Sequence, residues 1–211
     1  MTMPDILINT ENIFLNRGIC ELLSEIAKEE HIREPYSVVD CSTDILDPID
    51  MLFTEMAAGE HFLCHPFFKK HPPHTSIFIF VATDSALQVE RLPLCLRDAT
   101  FISMNSDLRR VKNQIAKRLT ESTTSSCGGL EKDSRRCVKC PRLTLTKSQL
   151  YIINAIRTGM NNQQIAQKLG ISHKTIFSHK INIMKKFQIA TKQELTRFSS
   201  VALALSAGRI G

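Results

Sequence analysis

The sequence predicts an α/β domain followed by an all-α domain, and two observations support this division. The charge changes sign along the chain, since residues 1–121 carry 12 basic and 18 acidic side chains whereas residues 143–211 carry 10 basic side chains and one acid, Glu194. The hydrophobic pattern also changes, from short apolar runs alternating with amphipathic stretches to helical spacing alone. A basic module joined to an acidic one indicates that the second module binds a polyanion.

The stretch between the two domains has the composition of a linker. It includes Ser-Thr-Thr-Ser-Ser-Cys-Gly-Gly at 122–129, which is poor in core-forming residues. We therefore predict domains at 1–121 and 143–211, joined by a linker at 122–142. The chain has no run of about 18 apolar residues and no signal-peptide pattern near Met1. We accordingly expect a cytoplasmic protein without a membrane partner.

The first domain is predicted as a layered α/β structure. Short apolar runs predict five strands, over residues 5–9, 36–41, 61–64, 77–81 and 100–103. Amphipathic spacing predicts helices over residues 13–30, 48–58, about 85–96 and 108–119. The predicted helix over residues 48–58 places four apolar side chains on one face, Ile49, Leu52, Phe53 and Met56. Strands and helices alternating in this way match a flavodoxin-like, doubly wound domain.

The second domain is predicted to contain four helices, over residues 147–158, 163–169, 173–187 and 192–205. Side-chain oxygens suited to capping precede the first three helices, at Thr146, at Asn161 or Asn162, and at Ser172. Gly159 is expected to end the first helix, and Gly170-Ile171-Ser172 to form a tight turn after the second. A short helix, a tight turn and a second helix constitute a helix-turn-helix arrangement.

The third predicted helix has the properties of a DNA-recognition helix. Its outward face has no acid and consists of Lys174, Phe177, Ser178, Lys180, Ile181 and Lys185. Lysines near the helix ends, together with Lys186, can pair with phosphates, while side chains of the N-terminal half reach base edges. A solvated basic face is the alternative interpretation. The spacing and the turn agree with the charge, so we expect double-stranded DNA as the partner.

Residues 145–187 resemble the LuxR/FixJ-type (NarL-type) DNA-binding domain of bacterial transcriptional regulators. The resemblance rests on Ile-Ala-x-x-Leu at 165–169, Ile-Ser-x-Lys-Thr-Ile at 171–176 and His-Lys-x-Asn-Ile-Met-Lys-Lys at 179–186. It implies a dimer, of two copies or with a related regulator, formed through the helix that begins at Lys192. The resemblance also implies DNA-backbone contacts at Lys174, Thr175, His179 and Lys185, and base reading by Phe177, Ser178 and Ile181.

Two departures from the family pattern modify these expectations. Phe177 stands where the family often has a basic residue, and a phenyl ring can pack on a thymine methyl group but cannot pair with guanine. The preferred DNA site is therefore predicted to be rich in T·A pairs. Gln149 and Tyr151 stand where the family usually has glutamates, which concerns the stability of the domain more than DNA binding.

In these regulators the N-terminal domain is often a phospho-receiver. Such a domain needs an acid pair after strand one, an acceptor Asp after strand three, a Thr or Ser after strand four and a Lys after strand five. Here Thr10-Glu11-Asn12, Cys64-His65-Pro66 and Ser103-Met104-Asn105 follow the first, third and fifth predicted strands, and Thr83 alone fits. Phosphoryl transfer then lacks a nucleophile, and without two acids Mg²⁺ has poor ligands, which predicts a pseudo-receiver that is not controlled by aspartyl phosphorylation. A different alignment would offer Asp40, Asp47 or Asp50 instead.

Two clusters could be metal sites. Cys127, Cys137 and Cys140 could bind zinc or an iron–sulfur cluster, or form a redox pair beside basic residues. No fourth ligand lies nearby in the sequence, so we favour incidental linker cysteines and expect no cofactor. The second cluster comprises His61, His65, His71 and His74. Here we favour a solvated loop over residues 65–74 rather than a metal site. The other four cysteines lie in apolar segments and are expected to be buried thiols: Cys20, Cys41, Cys64 and Cys95.

The leading hypothesis is a sequence-specific DNA-binding transcriptional regulator that acts as a dimer. An adaptor that binds another regulator, and contacts DNA only within that complex, is the main alternative, because Phe177 and Ile181 on the predicted reading face are uncharged. A small-molecule or redox sensor is a third possibility that rests on the linker cysteines. No nucleophile–base pair, phosphate-binding loop or complete set of metal ligands indicates an enzyme.

Overall fold

The structure is a computed structural model that describes residues 5–29, 37–39, 49–70, 75–82, 89–124 and 140–207. The chain forms two compact units. One, here called the sheet unit, consists of Met1–Glu55, Phe67–Asp84 and Asp98–Arg136, and the other, the helical unit, consists of Met56–Pro66, Ser85–Arg97 and Cys137–Gly211. The helical unit thus includes two stretches from the first 121 residues, which the predicted division of the chain does not anticipate.

A five-stranded sheet with the order β2-β1-β3-β4-β5 forms the centre of the N-terminal half. Its pairings β1–β2, β1–β3 and β4–β5 are parallel. This strand order is that of the flavodoxin-like doubly wound fold, so the predicted fold class is confirmed. The strands are β1 Asp5–Asn9, β2 Ser37–Val39, β3 Met51–Met56, β4 Ser76–Val81 and β5 Thr100–Ser103.

Two long helices of the sheet unit follow strands, α1 at Ile13–Glu29 after β1 and α3 at Leu108–Thr124 after β5. Their apolar faces join the strands in one core, in which the rings of Phe53 and Phe78 stack with centroids 4.9 Å apart. Lys112 of α3 bridges to α1, because its ammonium group lies 2.6 Å from a Glu29 oxygen and 3.3 Å from a Glu25 oxygen. The bond to Glu29 is the main reason that the pKa of Lys112 is raised.

Strand β3 differs from the sequence prediction, which gives a helix over residues 48–58; that prediction is wrong. Five of the six side chains of Met51–Met56 are buried, with Glu55 the exception. A central parallel strand is covered on both faces and therefore shows no alternation of apolar and polar residues. Ile49, which precedes the strand, and Leu52, Phe53 and Met56 within it fall at the i, i+3, i+4 and i+7 positions that normally indicate an amphipathic helix.

The strand predicted over residues 61–64 is also wrong. A 3-10 helix occupies Glu60–Phe62, and it follows Gly59, whose φ of 81° is in the left-handed region. The apolar residues of this stretch are buried within the helical unit rather than in the sheet. A short apolar run reports burial without reporting the conformation that achieves it.

The structure also differs from two further predictions for the first half, the helix over 85–96 and the loop over 65–74. In the described part of the helix predicted over 85–96, the structure has 3-10 helices at Val89–Arg91 and Leu94–Leu96. Pro93 lies between them and has no amide hydrogen for a continuous α-helix. The loop predicted over 65–74 contains a short helix, α2 at Pro66–Lys70, in which Phe68 is buried. Residues 71–74 and 83–88, with His71, His74 and Thr83, lie outside the described residues.

The four helices predicted for the C-terminal half are present. Their apolar faces meet in a core that includes Ile153, Ile165, Ile176 and Phe187, and the ring of Phe187 lies 4.6 Å from that of Phe198. Within the described residues, no helix is long and apolar enough to cross a membrane. The helices are α4 Lys147–Arg157, α5 Asn162–Leu169, α6 His173–Phe187 and α7 Lys192–Ala207.

Candidate nucleic-acid interface

The turn between α5 and α6 is fixed by local hydrogen bonds. Asn161 caps α5 in a capping box, in which its side chain accepts from the Gln164 amide and the Gln164 side chain accepts from the Asn161 amide, both at 2.9 Å. Gly170 ends α5 with a φ of 64°, and the Ile171 amide donates back to the Ala166 carbonyl at 3.1 Å. A left-handed residue at this point favours glycine, which has no Cβ to clash.

Ser172 caps α6, as the sequence predicts. Its hydroxyl accepts from the Thr175 amide at 3.1 Å, and the two hydroxyl oxygens lie 2.8 Å apart. Thr175 is therefore engaged with the cap while its side chain stays exposed. A cap of this kind stabilises a helix by about 1 kcal/mol. The turn and the cap together fix where α6 starts.

The predicted DNA-binding residues of α6 fall into two groups by exposure. Phe177 is 54% exposed. Half-buried members are His179, Lys180 and Ile181. The exposed members are Lys174, Thr175, Phe177, Ser178 and Lys185.

Lys180 differs from the other predicted contacts because it joins the two helices of the motif. Its ammonium group donates to the side-chain oxygen of Asn162, at the start of α5. Burial lowers the pKa of Lys180, and the positive charge of Lys192 lowers it further. Sequence reasoning missed this bond, since eighteen residues separate the two partners. Lys180 thus has a structural role in the motif, and its DNA contact stays a prediction.

Beyond Lys180, several side chains in the C-terminal half of α6 are partly buried within the helical unit. Ile181 lines an open depression with Met184 and Ile189. Lys186 donates from its ammonium group to the Thr144 carbonyl at 2.6 Å, so its predicted phosphate contact competes with an internal bond. Gln188 ends α6 in the left-handed conformation, with a φ of 55°.

Gln149, which stands where the family usually has a glutamate, still completes the cap at the start of α4. The Gln149 side chain accepts from the Thr146 amide at 3.1 Å, and the Thr146 hydroxyl accepts from the Gln149 amide at 3.2 Å. Glutamine can complete a capping box as glutamate does. The glutamine therefore preserves the local geometry while removing a negative charge from the unit.

The acid of this region, Glu194, is used internally. Its carboxylate accepts from the amides of Ala190 and Thr191, at 2.8 and 3.0 Å, and so caps the start of α7. No other Asp or Glu occurs in residues 143–211. The exposed face of α6 consequently carries positive charge and no carboxylate of its own.

The residues that occupy the positions of a phospho-receiver's acids and lysine lie at the carboxyl edge of the sheet. Glu55 is the penultimate residue of β3. Its side chain is half-buried, and its carboxylate accepts a hydrogen bond from the Thr10 hydroxyl at 3.2 Å. Met104, after β5, is 40% exposed. Because β3 is Met51–Met56, the predicted strand end at Cys64-His65-Pro66 is wrong, and a glutamate lies where no acid was predicted. Recognising Thr54-Glu55-Met56 as a strand end would have found it.

Asp50 does not take the acceptor position. It precedes β3, at the amino edge of the sheet, where its carboxylate accepts from the Asp5 amide at 3.0 Å. Asp40 and Asp47 lie outside the described residues. At the ends of β1 and β3, the described residues therefore offer the Glu11 and Glu55 carboxylates.

Among the residues that the structure describes, no three His, Cys, Asp or Glu side chains are grouped to hold a metal ion. Cys127 and Cys137 lie outside those residues, while the Cys140 sulfur accepts from the Leu94 amide at 3.4 Å. Cys64 is a buried thiol as predicted, whereas Cys20 and Cys95 are half-buried; Cys41 lies outside the described residues.

His61 is buried and His65 mostly so. Burial lowers the pKa of each to about 4, although a Glu60 oxygen lies 3.4 Å from the His65 ring. Both rings are therefore neutral at neutral pH. We therefore interpret His61 and His65 as structural residues rather than as members of a binding or catalytic site.

The helices α4 to α7 form a helix-turn-helix domain, as the capped α5, the tight turn and the exposed face of α6 show. Residues 143–199 match the family described as "Bacterial regulatory proteins, luxR family". This region of the chain is accordingly a LuxR-family helix-turn-helix domain, and the family resemblance read from the sequence is confirmed.

Curated relatives match part of the chain. It is 29% identical over 102 residues to the oxygen regulatory protein NreC of Staphylococcus carnosus, which covers 48% of this chain and 47% of that protein. It is 39% identical over 59 residues to NreC of Staphylococcus aureus strain JH9, covering 28% of this chain and 27% of that protein. The chain thus spans about half, or less, of the length of these relatives.

Solved structures match over a longer stretch. RcsB of Salmonella enterica serovar Typhimurium, bound to a promoter, aligns with a TM-score of 0.55 at 18% identity, covering 95% of this chain and 99% of that one. An RcsB–DNA complex aligns with a TM-score of 0.52 at 19% identity and the same coverage of both chains. At this identity the likeness shows the fold, a receiver-like α/β part and a helix-turn-helix part.

Proposed function

We propose that this protein is a sequence-specific DNA-binding transcriptional regulator that inserts α6 into the major groove. The observation that carries the proposal is the exposed face of α6, where Lys174, Phe177 and Ser178 point outward and no acid occurs. A recognition helix contacts base edges mainly through its N-terminal half. The capped turn at Ser172 holds this half in a fixed position.

The spacing of the exposed lysines fits the groove. Lys174 and Lys185 are eleven residues apart in α6, which corresponds to about 16 Å along a helix. The major groove is about 12 Å wide, so the two ammonium groups reach phosphates on its opposite walls. Such contacts fix the register of a helix on DNA, and they contribute most of the salt-dependent affinity.

Phe177 and Ser178 are the proposed base-reading residues. An exposed phenyl ring gains free energy when it packs on a thymine methyl group, and it offers guanine no hydrogen bond. The proposed preference is therefore for T·A pairs at the position facing Phe177. Ser178 can donate or accept a hydrogen bond and so tolerates either base pair.

The regulator is proposed to act on chromosomal DNA in the cytoplasm as a dimer, with itself or a related regulator, through α7. One helix-turn-helix reads a half-site of a few base pairs, and a two-fold dimer reads two half-sites about one helical turn apart. Exposed positions along α7 leave a face for a second copy, including Arg197, Ser200 and Ala204.

We further propose that aspartyl phosphorylation does not control this protein. Glu55 stands at the end of β3 in place of an aspartate, and Met104 follows β5 in place of a lysine. Met104 cannot neutralise a phosphoryl group, and a threonine at position 10 leaves Glu11 as the single acid after β1 for Mg²⁺. The site thereby lacks the charges that phosphoryl transfer requires.

Selection of duplexes from a random pool, followed by fluorescence anisotropy, tests the proposed function. The full chain is expected to enrich a two-fold motif and to bind it, whereas Lys174→Ala is expected to lose most of that affinity. Lys147→Ala, which removes an exposed lysine from the start of α4, serves as the matched control and should bind as the wild type does. Failure of the wild type to enrich any motif would favour the adaptor hypothesis.

A further inference from the structure

Residues from the first half of the chain hold the last turn of α6. The Arg91 guanidinium donates from Nη2 to the Lys186 carbonyl oxygen at 3.1 Å. Gly59 packs against Phe187 so closely that an added Cβ would lie 2.7 Å from the Phe187 carbonyl oxygen and 2.9 Å from its Cβ. All four residues belong to the helical unit.

Phe62 fixes Arg91 in turn. The guanidinium carbon lies 5.3 Å from the centroid of the Phe62 ring, and Phe62 is fully buried. The Phe62 carbonyl accepts from the Leu143 amide at 2.9 Å, at the first residue of the family match. The two stretches from the first half are therefore bonded to both the start and the centre of the helix-turn-helix domain.

Arg91 is suited chemically to the end of a helix. The last carbonyl groups of an α-helix have no partner within it, and the negative end of the helix dipole favours a cation. Arg91 supplies both a donor and a charge at Lys186, while its guanidinium group lies over the Phe62 ring. Gln188 adopts the left-handed conformation immediately beyond.

We infer that Arg91 is a positioning residue for the recognition helix, and that residues 56–66 and 89–97 are structural parts of the DNA-binding domain. The consequence for DNA rests on the function proposed above. The contact lies at the last turn of α6, whereas the proposed base-reading residues Phe177 and Ser178 lie in its first half and are exposed. The contact therefore leaves the proposed reading face accessible to DNA.

Hydrogen–deuterium exchange on the full chain without DNA tests the positioning role. Arg91→Ala is expected to raise exchange at least about tenfold at the amides of Gln188 and Ile189, because it removes a charge-assisted bond from the end of the helix. Arg97→Ala is the matched control, an exposed arginine of the same stretch, and should leave these amides unchanged. Equal exchange in Arg91→Ala and wild type would overturn the inference.

DNA affinity supplies the second readout. Arg91→Ala is expected to bind the selected duplex at least about fivefold more weakly, with an unchanged dependence on salt, because Arg91 does not contact phosphate. A salt slope lower by about 1 would make Arg91 a phosphate ligand and overturn the positioning role. A wild type that binds no duplex would defeat the proposed function, while the exchange measurement would still decide the positioning role.

Arg91→Gln keeps the inference testable if Arg91→Ala does not fold. Glutamine retains an N–H donor for the Lys186 carbonyl without the charge. Exchange at Gln188 and Ile189 should then exceed that of the wild type, because the charge-assisted bond becomes a neutral one. Wild-type exchange in this variant at low and high salt would leave the guanidinium without a role and contradict the inference.

Discussion

The Thr10 hydroxyl donates to the Glu55 carboxylate across 3.2 Å, joining the ends of β1 and β3 at the carboxyl edge of the sheet. Both residues stand where a phospho-receiver would hold its acids. The Glu55 carboxylate is thus held by a hydroxyl of the neighbouring strand, and position 10 supplies no second acid. This pairing is one ground for the proposal that aspartyl phosphorylation does not control the protein.

The first prediction concerns phosphorylation. Incubation of the full chain with acetyl phosphate and Mg²⁺ is expected to give no phosphorylated species by intact-protein mass spectrometry, because Glu55 replaces the acceptor aspartate, Thr10 removes one acid from the Mg²⁺ site and Met104 replaces the lysine. DNA affinity should stay within about twofold, which is close to the error of such measurements. Stoichiometric labelling that Glu55→Gln abolishes would contradict the account.

The second prediction concerns salt. Lys174→Ala should reduce the slope of log affinity against log salt concentration by about 0.9, because one phosphate contact is lost. Lys185→Ala should reduce it by the same amount. Lys147→Ala carries the same charge change away from α6 and should leave the slope as it is; anisotropy titrations between low and moderate salt compare the three.

The third prediction concerns specificity. Phe177→Ala should lower discrimination in favour of T·A at one position of each half-site by about 1 kcal/mol, since the contact with the thymine methyl is lost. Non-specific affinity should change little, because phosphate contacts remain. Competition between the selected duplex and a T·A-to-G·C variant measures the effect, and equal discrimination by wild type and mutant would exclude Phe177 from base reading.

The fourth prediction concerns pH. The pKa of His61 falls from about 6.5 when unfolded to about 4 in the fold because the ring is buried. Between these values the unfolded chain binds more protons, so stability is full above pH 6.5 and decreases as the pH falls toward 4, by up to about 1.4 kcal/mol per unit. His61→Leu should show a shallower decrease in urea unfolding. His173→Gln changes an exposed histidine and should follow the wild type; the same pH profile in His61→Leu would refute the assignment.

The fifth prediction concerns Gly59. Alanine at a positive φ costs about 1–2 kcal/mol, and this applies equally at Gly59 and Gly159, whose φ values are 81° and 77°. An alanine Cβ at Gly59 also meets Phe187, whereas at Gly159 it meets nothing within 4 Å. Gly59→Ala should therefore lower the free energy of unfolding of the helical unit by at least about 1 kcal/mol more than Gly159→Ala does. Equal losses in urea would show that the contact with Phe187 is absent.

Local signals predicted helices α4 to α7 well. Thr146, Asn161 and Ser172 each cap a helix as the sequence indicates, because capping depends on neighbours within three residues. The acid-free face of α6 is likewise visible in the printed residues. In this half of the chain, structure and charge are both encoded at short range.

Long-range relationships could not be read in the same way. Residues 49–56 show helical spacing but contain the central strand β3, because the layers that cover both faces of the strand come from distant parts of the chain. The misplacement of β3 hid Glu55 from the sequence analysis. Arg91 and Lys186 are 95 residues apart, and no local pattern indicates that they meet.

Genome-wide DNA occupancy of the wild type beside a Lys174→Ala/Lys185→Ala double mutant tests the central claim most directly. Both lysines are exposed on α6, so the mutations should leave the fold intact, which circular dichroism checks. The account predicts discrete peaks that share a two-fold, T·A-containing motif and disappear in the mutant. Peaks that persist in the mutant would mean that another protein brings this one to DNA, and would contradict direct recognition by α6.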